Sequence, residues 1–332
     1  MDRMNFDPKV SVVVCTYNQQ HFIRETLDSI LAQTYTNIEL IVSDDGSSDD
    51  TPQILHEYAA RHPDRVIAVF SDQNTGIAAN INRGLARRTG EYVSWLDGDD
   101  VMLPTKLEKQ VALLQQHPEA IGCYHDSEVF DSETNQSLGK MSELYNGSSE
   151  LKQGQLADWL RPRYYFVPSA IMARSAACPP HGFDTRLKHL SEGLFFIELF
   201  RNGTLLAISE VLVRYRRHAA NVSTNQQARD LSAEYELMMY AIVDARYPEL
   251  HTLTKRQRIA CLLTEAVKNY REGDKHRSTQ FLRNVMAEGA PLKALAVFIS
   301  LRVLRRRAAN ITSGLPYQRP GWINRLSRRF LE

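Results

Sequence analysis

Four short runs of β-branched and aliphatic residues punctuate the first hundred positions, each followed by a stretch of helical periodicity. Val10 to Cys15 (VSVVVC), Ile38 to Ser43 (IELIVS), Arg65 to Phe70 (RVIAVF) and Tyr92 to Leu96 (YVSWL) read as strands. The first is almost continuously apolar, as a strand covered on both faces should be. Phe22, Ile23, Leu27, Ile30 and Leu31 then fall on one helical face. Pro52 stands near a helix start, where its missing N–H costs nothing. A helix is expected from about Ile77 to Arg88, and Pro104 opens another that carries Leu107, Val111 and Leu114. This alternation predicts an α/β fold with a mostly parallel, doubly wound sheet flanked by helices.

Sheets of this kind bind ligands beyond the C-terminal ends of their strands. Four polar segments occupy those places: Thr16-Tyr17-Asn18, Asp44-Asp45-Gly46-Ser47, Asn74-Thr75-Gly76 and Asp97-Gly98-Asp99-Asp100. Three carboxylates in four residues repel one another unless a cation is present, and hard oxygen ligands suit Mg²⁺ or Mn²⁺. The same cluster also reads as a solvated acidic turn ahead of the Pro104 helix. It lacks the spacing of a calcium-binding EF-hand loop. Asp45 can accept the imide N–H of a uracil or thymine ring, while Ser48 or Asp49 caps the next helix. No Gly-rich turn follows the first strand, which argues against a nicotinamide dehydrogenase. No G-x-x-x-x-G-K-[ST] is present, which argues against a P-loop nucleotidase.

The net charge of +1 conceals an asymmetry. From Pro291 to Glu332 there are nine Lys/Arg and one acid, whereas the other 290 residues hold 31 Lys/Arg and 38 acids. Arg302, Arg305, Arg306, Arg307, Arg325, Arg328 and Arg329 raise nucleic-acid binding as a reading, but the acidic body argues against it. The four cysteines show neither CxxC nor zinc-finger spacing and are expected as buried, reduced thiols. Met1 to Lys9 has no apolar signal region, and Ala294 to Leu301 falls far short of the ~20 residues of a spanning helix. A cytoplasmic protein is expected, peripheral at the inner face of the cytoplasmic membrane.

The strand and loop sequences in series resemble the family-2 glycosyltransferases of the GT-A fold. The resemblance rests on Val10 to Asn18, on Asp44 to Asp49, on Asn74-x-Gly76-x-x-x-Asn80-x-x-x-Gly84 and on Leu96 to Asp100. It is strong over residues 9 to about 120 and weaker to about 223. It implies an inverting transfer from a nucleotide diphosphate sugar, with Cys15, Thr16, Tyr17, Asn18, Asp45, Asn74, Gly76, Asn80, Asp97 and Gly98 around the donor. It further implies that Asp99, Asp97 and His218 hold Mn²⁺ or Mg²⁺. In the family a carboxylate at a helix start acts as base. The matching stretch here is Ser191 to Leu199, which puts Glu192 at that position, where Asp is more usual. Glu192 read without the family is a first-turn acid favoured by the helix dipole. Glu198, further along the same helix, is expected to face solvent. Asp126 and Trp159 are weaker candidates for acceptor contact. A non-catalytic nucleotide-sugar binding module is the nearest alternative.

The expected organisation is a GT-A catalytic domain over 1–225, a helical extension over 226–290 and a basic amphipathic tail over 291–332. The catalytic domain would divide into a nucleotide-sugar half (1–120) and an acceptor half (121–225). In the tail, Leu292, Leu295, Ile299 and Val303 share one face, and Ile323, Leu326 and Phe330 form a second stripe beside Trp322. Basic amphipathic helices of this kind lie on anionic bilayers, where a polyprenyl-diphosphate-linked glycan acceptor would be presented. Packing of these helices on protein is the competing reading. O-antigen or capsule synthesis is the setting this implies.

Overall fold

In the computed structural model, the described residues are 7–160, 166–188, 190–219, 221 and 226–308. Strands β1 (Val10–Thr16), β2 (Ile38–Asp44), β3 (Val66–Phe70) and β4 (Tyr92–Asp97) form the parallel half of a nine-stranded sheet. Their order is β3-β2-β1-β4, with Val13 opposite Ile41 on one side and Trp95 on the other. Helices α1 (Ile23–Leu31), α2 (Thr51–Arg61), α3 (Ile77–Leu85) and α4 (Lys106–Gln116) flank it. Val10, Val12 and Val14 pack with Ile23, Leu27 and Ile30 of α1 and Leu107 of α4. Val13 faces the other way, toward Gly84 of α3. Both faces of β1 are thus covered, which explains its nearly unbroken apolar sequence. Each such side chain contributes about 1.5–3 kcal/mol on burial.

Beyond β4 the sheet becomes mixed. Strands β5 (Val101–Met102), β6 (Ala120–Asp131), β7 (Ser137–Lys140), β8 (Met172–Arg174) and β9 (Thr204–Arg217) complete it. The order continues β4-β8-β6-β9-β5, with β7 on β6. β8 is antiparallel to β4 and β6, whereas β6 and β9 are parallel. The antiparallel pairing of Val101 with Arg214 brings the end of β9 alongside the acidic segment after β4.

The short helix α5 (Leu156–Trp159) is followed by helix α6 (Ser191–Phe200), which is apolar on all sides, with Leu194, Phe195, Phe196, Ile197, Leu199 and Phe200 buried. A helix of that composition sits inside a fold rather than on it. Glu198, expected toward solvent, is consequently only 2% exposed, with Oε2 2.7 Å from Nε2 of His181.

The chain divides into two compact units between Tyr235 and Glu236, within α7 (Gln226–Arg246). In the second unit, α8 (His251–Arg271), α9 (Lys275–Ala287) and α10 (Pro291–Ala308) follow. Their core contains Leu262, Ala266, Leu282, Val285 and Ala294. The Arg258 guanidinium ties α8 to Asp244 on α7 and to Glu288 after α9. On α10, Leu292 is 79% exposed, and Leu295 and Ile299 are exposed on the same face. No described helix is long and apolar enough to cross a membrane. The Trp322, Ile323, Leu326 and Phe330 stripe, with Arg325, Arg328 and Arg329, lies outside the described residues, as do the side chains of Val303, Arg302 and Arg305 to Arg307.

Candidate active site

The C-terminal ends of β1, β2 and β4 carry Cys15 to Asn18, Asp45 and Asp97 to Asp100, and the loop after β3 carries Asn74 and Gly76. These segments brace one another. The Asn18 backbone, in the left-handed region at φ 51, donates to Ser47 Oγ at 2.8 Å, and Ser48 N donates to Asn18 Oδ1 at 2.8 Å. Asn80 is buried and donates to the Thr16 carbonyl at 3.2 Å, so its side chain anchors the β1 end. Gly76 takes φ 90, a conformation open to glycine, and its N–H donates to Asp45 Oδ2 at 2.7 Å. Asp45 accepts further bonds from Thr75 N, Thr75 Oγ1 and Arg83, which fill the remaining lone-pair positions of its carboxylate. An imide N–H arriving there must displace one of these donors. Tyr17 is exposed at the mouth.

The acidic segment is held from several sides. Gly98 N donates to the Cys15 carbonyl at 3.0 Å, and Thr26 Oγ1 donates to the carbonyls of Gly98 and Asp100. A Cβ on Gly98 would meet Gln19 Oε1 at 2.2 Å and the Cys15 carbonyl at 2.9 Å, so only glycine lets the loop approach β1 this closely. Asp100 is buried and accepts from Ser169 Oγ at 2.7 Å and from the Arg216 backbone N–H at 3.0 Å. It is a bracket within the protein, and burial, then Asp99 and Asp97, push its pKa up. Asp99 instead points at His218, whose Nε2 lies 2.8 Å from Oδ2, and Asn221 Nδ2 approaches the same oxygen at 3.3 Å.

Glu192 arrives from a different part of the chain. Phe195 and Phe196 of α6 pack edge-on against Trp95 of β4. One turn back on the helix is Glu192, and two residues on along the strand is Asp97, so Glu192 comes within electrostatic range of Asp97. Burial, then Asp99 and Glu192, raise the Asp97 pKa to about 7. Burial also raises that of Glu192, although the residue keeps partial access to solvent. Leu190, two positions earlier, has φ 65, an uncommon left-handed backbone for a leucine. Cys15 belongs to the same cluster, because burial, then Asp97 and Asp45, push its thiol up.

Among the described residues, no group of three or more His, Cys, Asp or Glu side chains is gathered as a self-sufficient metal site. The Asp99 and His218 pair, with Asp97 close by, is a sparse donor set. It fits Mg²⁺ or Mn²⁺, which take their remaining ligands from phosphate oxygens and water. Asp126 and Trp159 are each engaged by neighbouring parts of the chain. The Asp126 carboxylate accepts from Ser127 N, Ser142 N and Ser142 Oγ, and so holds the turn after β7. Trp159 is packed among Tyr124, Phe166 and Phe200. Asp126 also lines a small cleft with His125, Ser127 and Phe166. Gln19, Glu25, Arg83 and Ser169 belong to none of the sequence motifs that mark the site. Of these, only Arg83 left a local signal, one helical turn beyond Asn80.

Residues 11–176 match the model of glycosyl transferase family 2. An uncharacterized glycosyltransferase of Rickettsia prowazekii is 31% identical over 70% of this chain and 70% of its own length. The putative glycosyltransferase EpsE of Bacillus subtilis is 45% identical over 34% of this chain, and the match spans only 41% of EpsE. The fold is similar to that of S. aureus TarS 1-349 in complex with UDP, with a TM-score of 0.60 at 19% identity, covering 94% of each chain. It is also similar to the mannosyltransferase PcManGT of Pyrobaculum calidifontis in complex with GDP-Man and Mn²⁺. There the TM-score is 0.57 at 20% identity, covering 98% of this chain and 86% of the other. With its parallel strand ends, its acidic segment and these likenesses, the chain belongs to glycosyl transferase family 2 and has the GT-A fold.

Proposed function

We propose that the chain is an inverting transferase that moves a hexose or N-acetylhexosamine from a nucleoside diphosphate sugar, UDP in preference, to a sugar hydroxyl. The observation that carries this reading is the packing of Phe195 and Phe196 on Trp95, which brings the first turn of α6, with Glu192, toward the end of β4 that carries Asp97. A carboxylate whose pKa is raised by burial holds a proton more firmly, which is what a general base requires. In the proposed step the acceptor O–H gives its proton to Glu192. The acceptor oxygen bonds to the anomeric carbon while the bond from that carbon to the diphosphate oxygen breaks on the opposite face. The nucleoside diphosphate leaves and the configuration inverts. Tyr17 offers its exposed ring to the nucleobase, with Asp45 and the backbone of Cys15 and Thr16 beneath. Asp99 and His218 hold the cation, and Asn74, Gly76 and Asn80 shape the loop over the donor. A bound divalent cation supplies neutralisation of the charge that develops on the leaving diphosphate. The UDP of the TarS complex and the GDP-Man and Mn²⁺ of the mannosyltransferase support this donor class and this cation.

The acceptor is a glycan on a polyprenyl-diphosphate carrier at an anionic membrane surface, in surface-polysaccharide assembly. Support comes from the exposed Leu292, Leu295 and Ile299 face and the arginine-rich sequence that follows it. The deciding experiment is a donor-hydrolysis screen over UDP-glucose, UDP-galactose, UDP-N-acetylglucosamine and GDP-mannose, with Mn²⁺ or with EDTA. Metal-dependent turnover of one donor is the expected result. Donor binding without any turnover would instead mark a non-catalytic nucleotide-sugar module.

A further inference from the structure

The Arg216 guanidinium joins three parts of the first unit. Its Nε donates to the Asp99 carbonyl at 2.7 Å, its Nη2 pairs with Glu25 Oε2, and its plane lies over the rings of Phe22 and Phe130. The Arg216 carbonyl accepts from Asn221 Nδ2 at 3.2 Å, and Asn221 Oδ1 accepts the His218 N–H at 2.6 Å. The Phe22 ring rests against the His218 imidazole, with centroids 4.6 Å apart. The contacts that aim Asp99 and His218 at each other therefore run through Arg216 or its neighbours.

A guanidinium buried between two rings needs a counter-charge. Glu25, on the first turn of α1 with its side chain 53% exposed, supplies one. If Glu25 is neutralised by substitution, the same Nη2 is left to seek another acceptor, and the guanidinium is already held at Asp99 through that residue's carbonyl. A guanidinium drawn onto Asp99 opposes a divalent cation both by charge and by occupying its ligand.

We propose that Glu25 is a positioning residue for cation binding: by pairing with Arg216 it keeps the guanidinium on the Asp99 main chain and leaves the Asp99 carboxylate and His218 to the metal. This rests on the metal-assisted reading above. The test is a Mn²⁺ titration in the presence of UDP, followed by the EPR signal of free Mn²⁺. It compares the wild type with Glu25→Gln, Glu25→Ala and the control Arg24→Gln, which breaks the exposed pair with Glu57. Both Glu25 variants should bind Mn²⁺ about tenfold more weakly, the lower end of what loss of an outer-shell partner costs. Their thermal midpoints should match that of Arg24→Gln, and donor hydrolysis should recover as Mn²⁺ is raised. Wild-type Mn²⁺ affinity in both Glu25 variants would overturn the proposal alone, as would an equal loss in Arg24→Gln. A wild-type chain that binds no Mn²⁺ would overturn the metal-assisted reading and this proposal with it.

Discussion

Nε2 of His218 lies 2.8 Å from Oδ2 of Asp99, although 119 positions separate them. The contact follows from strand order. β9 returns antiparallel to β5, so the residues after Arg214 run back past the acidic segment that precedes Val101. Oxygen and imidazole nitrogen at that distance can share a cation, and neither is held elsewhere by a backbone ladder.

Replacement of Asp99 should therefore stop the reaction without unfolding the chain. Asp99→Asn keeps the shape and halves the acceptor capacity, and turnover should fall to background. Chelation should do the same to the wild type. The measurement is donor hydrolysis with Mn²⁺ and in excess EDTA, and full activity in EDTA would refute the metal role.

Glu192→Gln should lower kcat by at least ~10², the smaller end of what loss of a general base costs. Donor KM should hardly change, because the base faces the acceptor. The thermal midpoint should not fall, since the substitution removes one of the charges that oppose ionisation of Asp97. Proton NMR of the product should show inversion. Near-normal turnover of the variant, or retained configuration, would remove Glu192 from the role.

Gly98→Ala should damage the donor site from within. Its Cβ would sit 2.9 Å from a backbone oxygen of β1, which cannot move aside as the Gln19 side chain can. Overpacking of this kind costs about 1–3 kcal/mol. A lower midpoint in chemical denaturation and weaker UDP binding by calorimetry are expected. A variant with unchanged UDP affinity would show that the loop has more room than this geometry allows.

Lys106 sets a pH dependence of stability. It is fully buried, donates to Ser94 Oγ at 2.6 Å, and burial lowers its pKa to about 7. The unfolded chain keeps the lysine proton up to about pH 10.4, whereas the folded chain releases it near 7. Between those values the unfolded state binds more protons, so this group makes stability rise with pH, by at most about 1.4 kcal/mol per unit. Lys106→Met should flatten that slope in denaturation curves from pH 7 to 9. An identical slope in both proteins would refute the assignment.

Membrane docking through α10 is tested by substitution rather than by removing the helix. Ala294, Val297 and Phe298 pack into the core of the second unit, so deletion from residue 291 would expose it. Leu292→Ser with Leu295→Ser and Ile299→Ser spares that core. Sedimentation with anionic liposomes should fall, while transfer to a short soluble acceptor persists. Unchanged sedimentation of the triple variant, alone and combined with loss of 309–332, would dispose of the membrane reading.

What the sequence by itself determined is local. Apolar runs with helical stretches between them specify the parallel half of the sheet, because burial on both faces demands that pattern. The polar loops then fall at the strand ends, and Asp45, Asp97 and Asp99 were legible there. Glu198 departs from this, because its charge points to solvent in the sequence whereas the all-round apolar character of α6 takes it inside. Tertiary structure decided the rest. Glu192 comes toward the end of β4 because two phenylalanines of α6 seat on Trp95, and no local period records the packing of Phe195 on a residue 100 positions earlier. Asp100 and Asp99 are neighbours of the same residue type. Only the approach of Ser169 and the Arg216 N–H makes one a bracket and leaves the other for His218. The surroundings of Asp126 and Trp159 are likewise set by tertiary packing. Packing commits the first to the Ser142 turn and the second to an aromatic core, since a buried polar group must be satisfied where it lies.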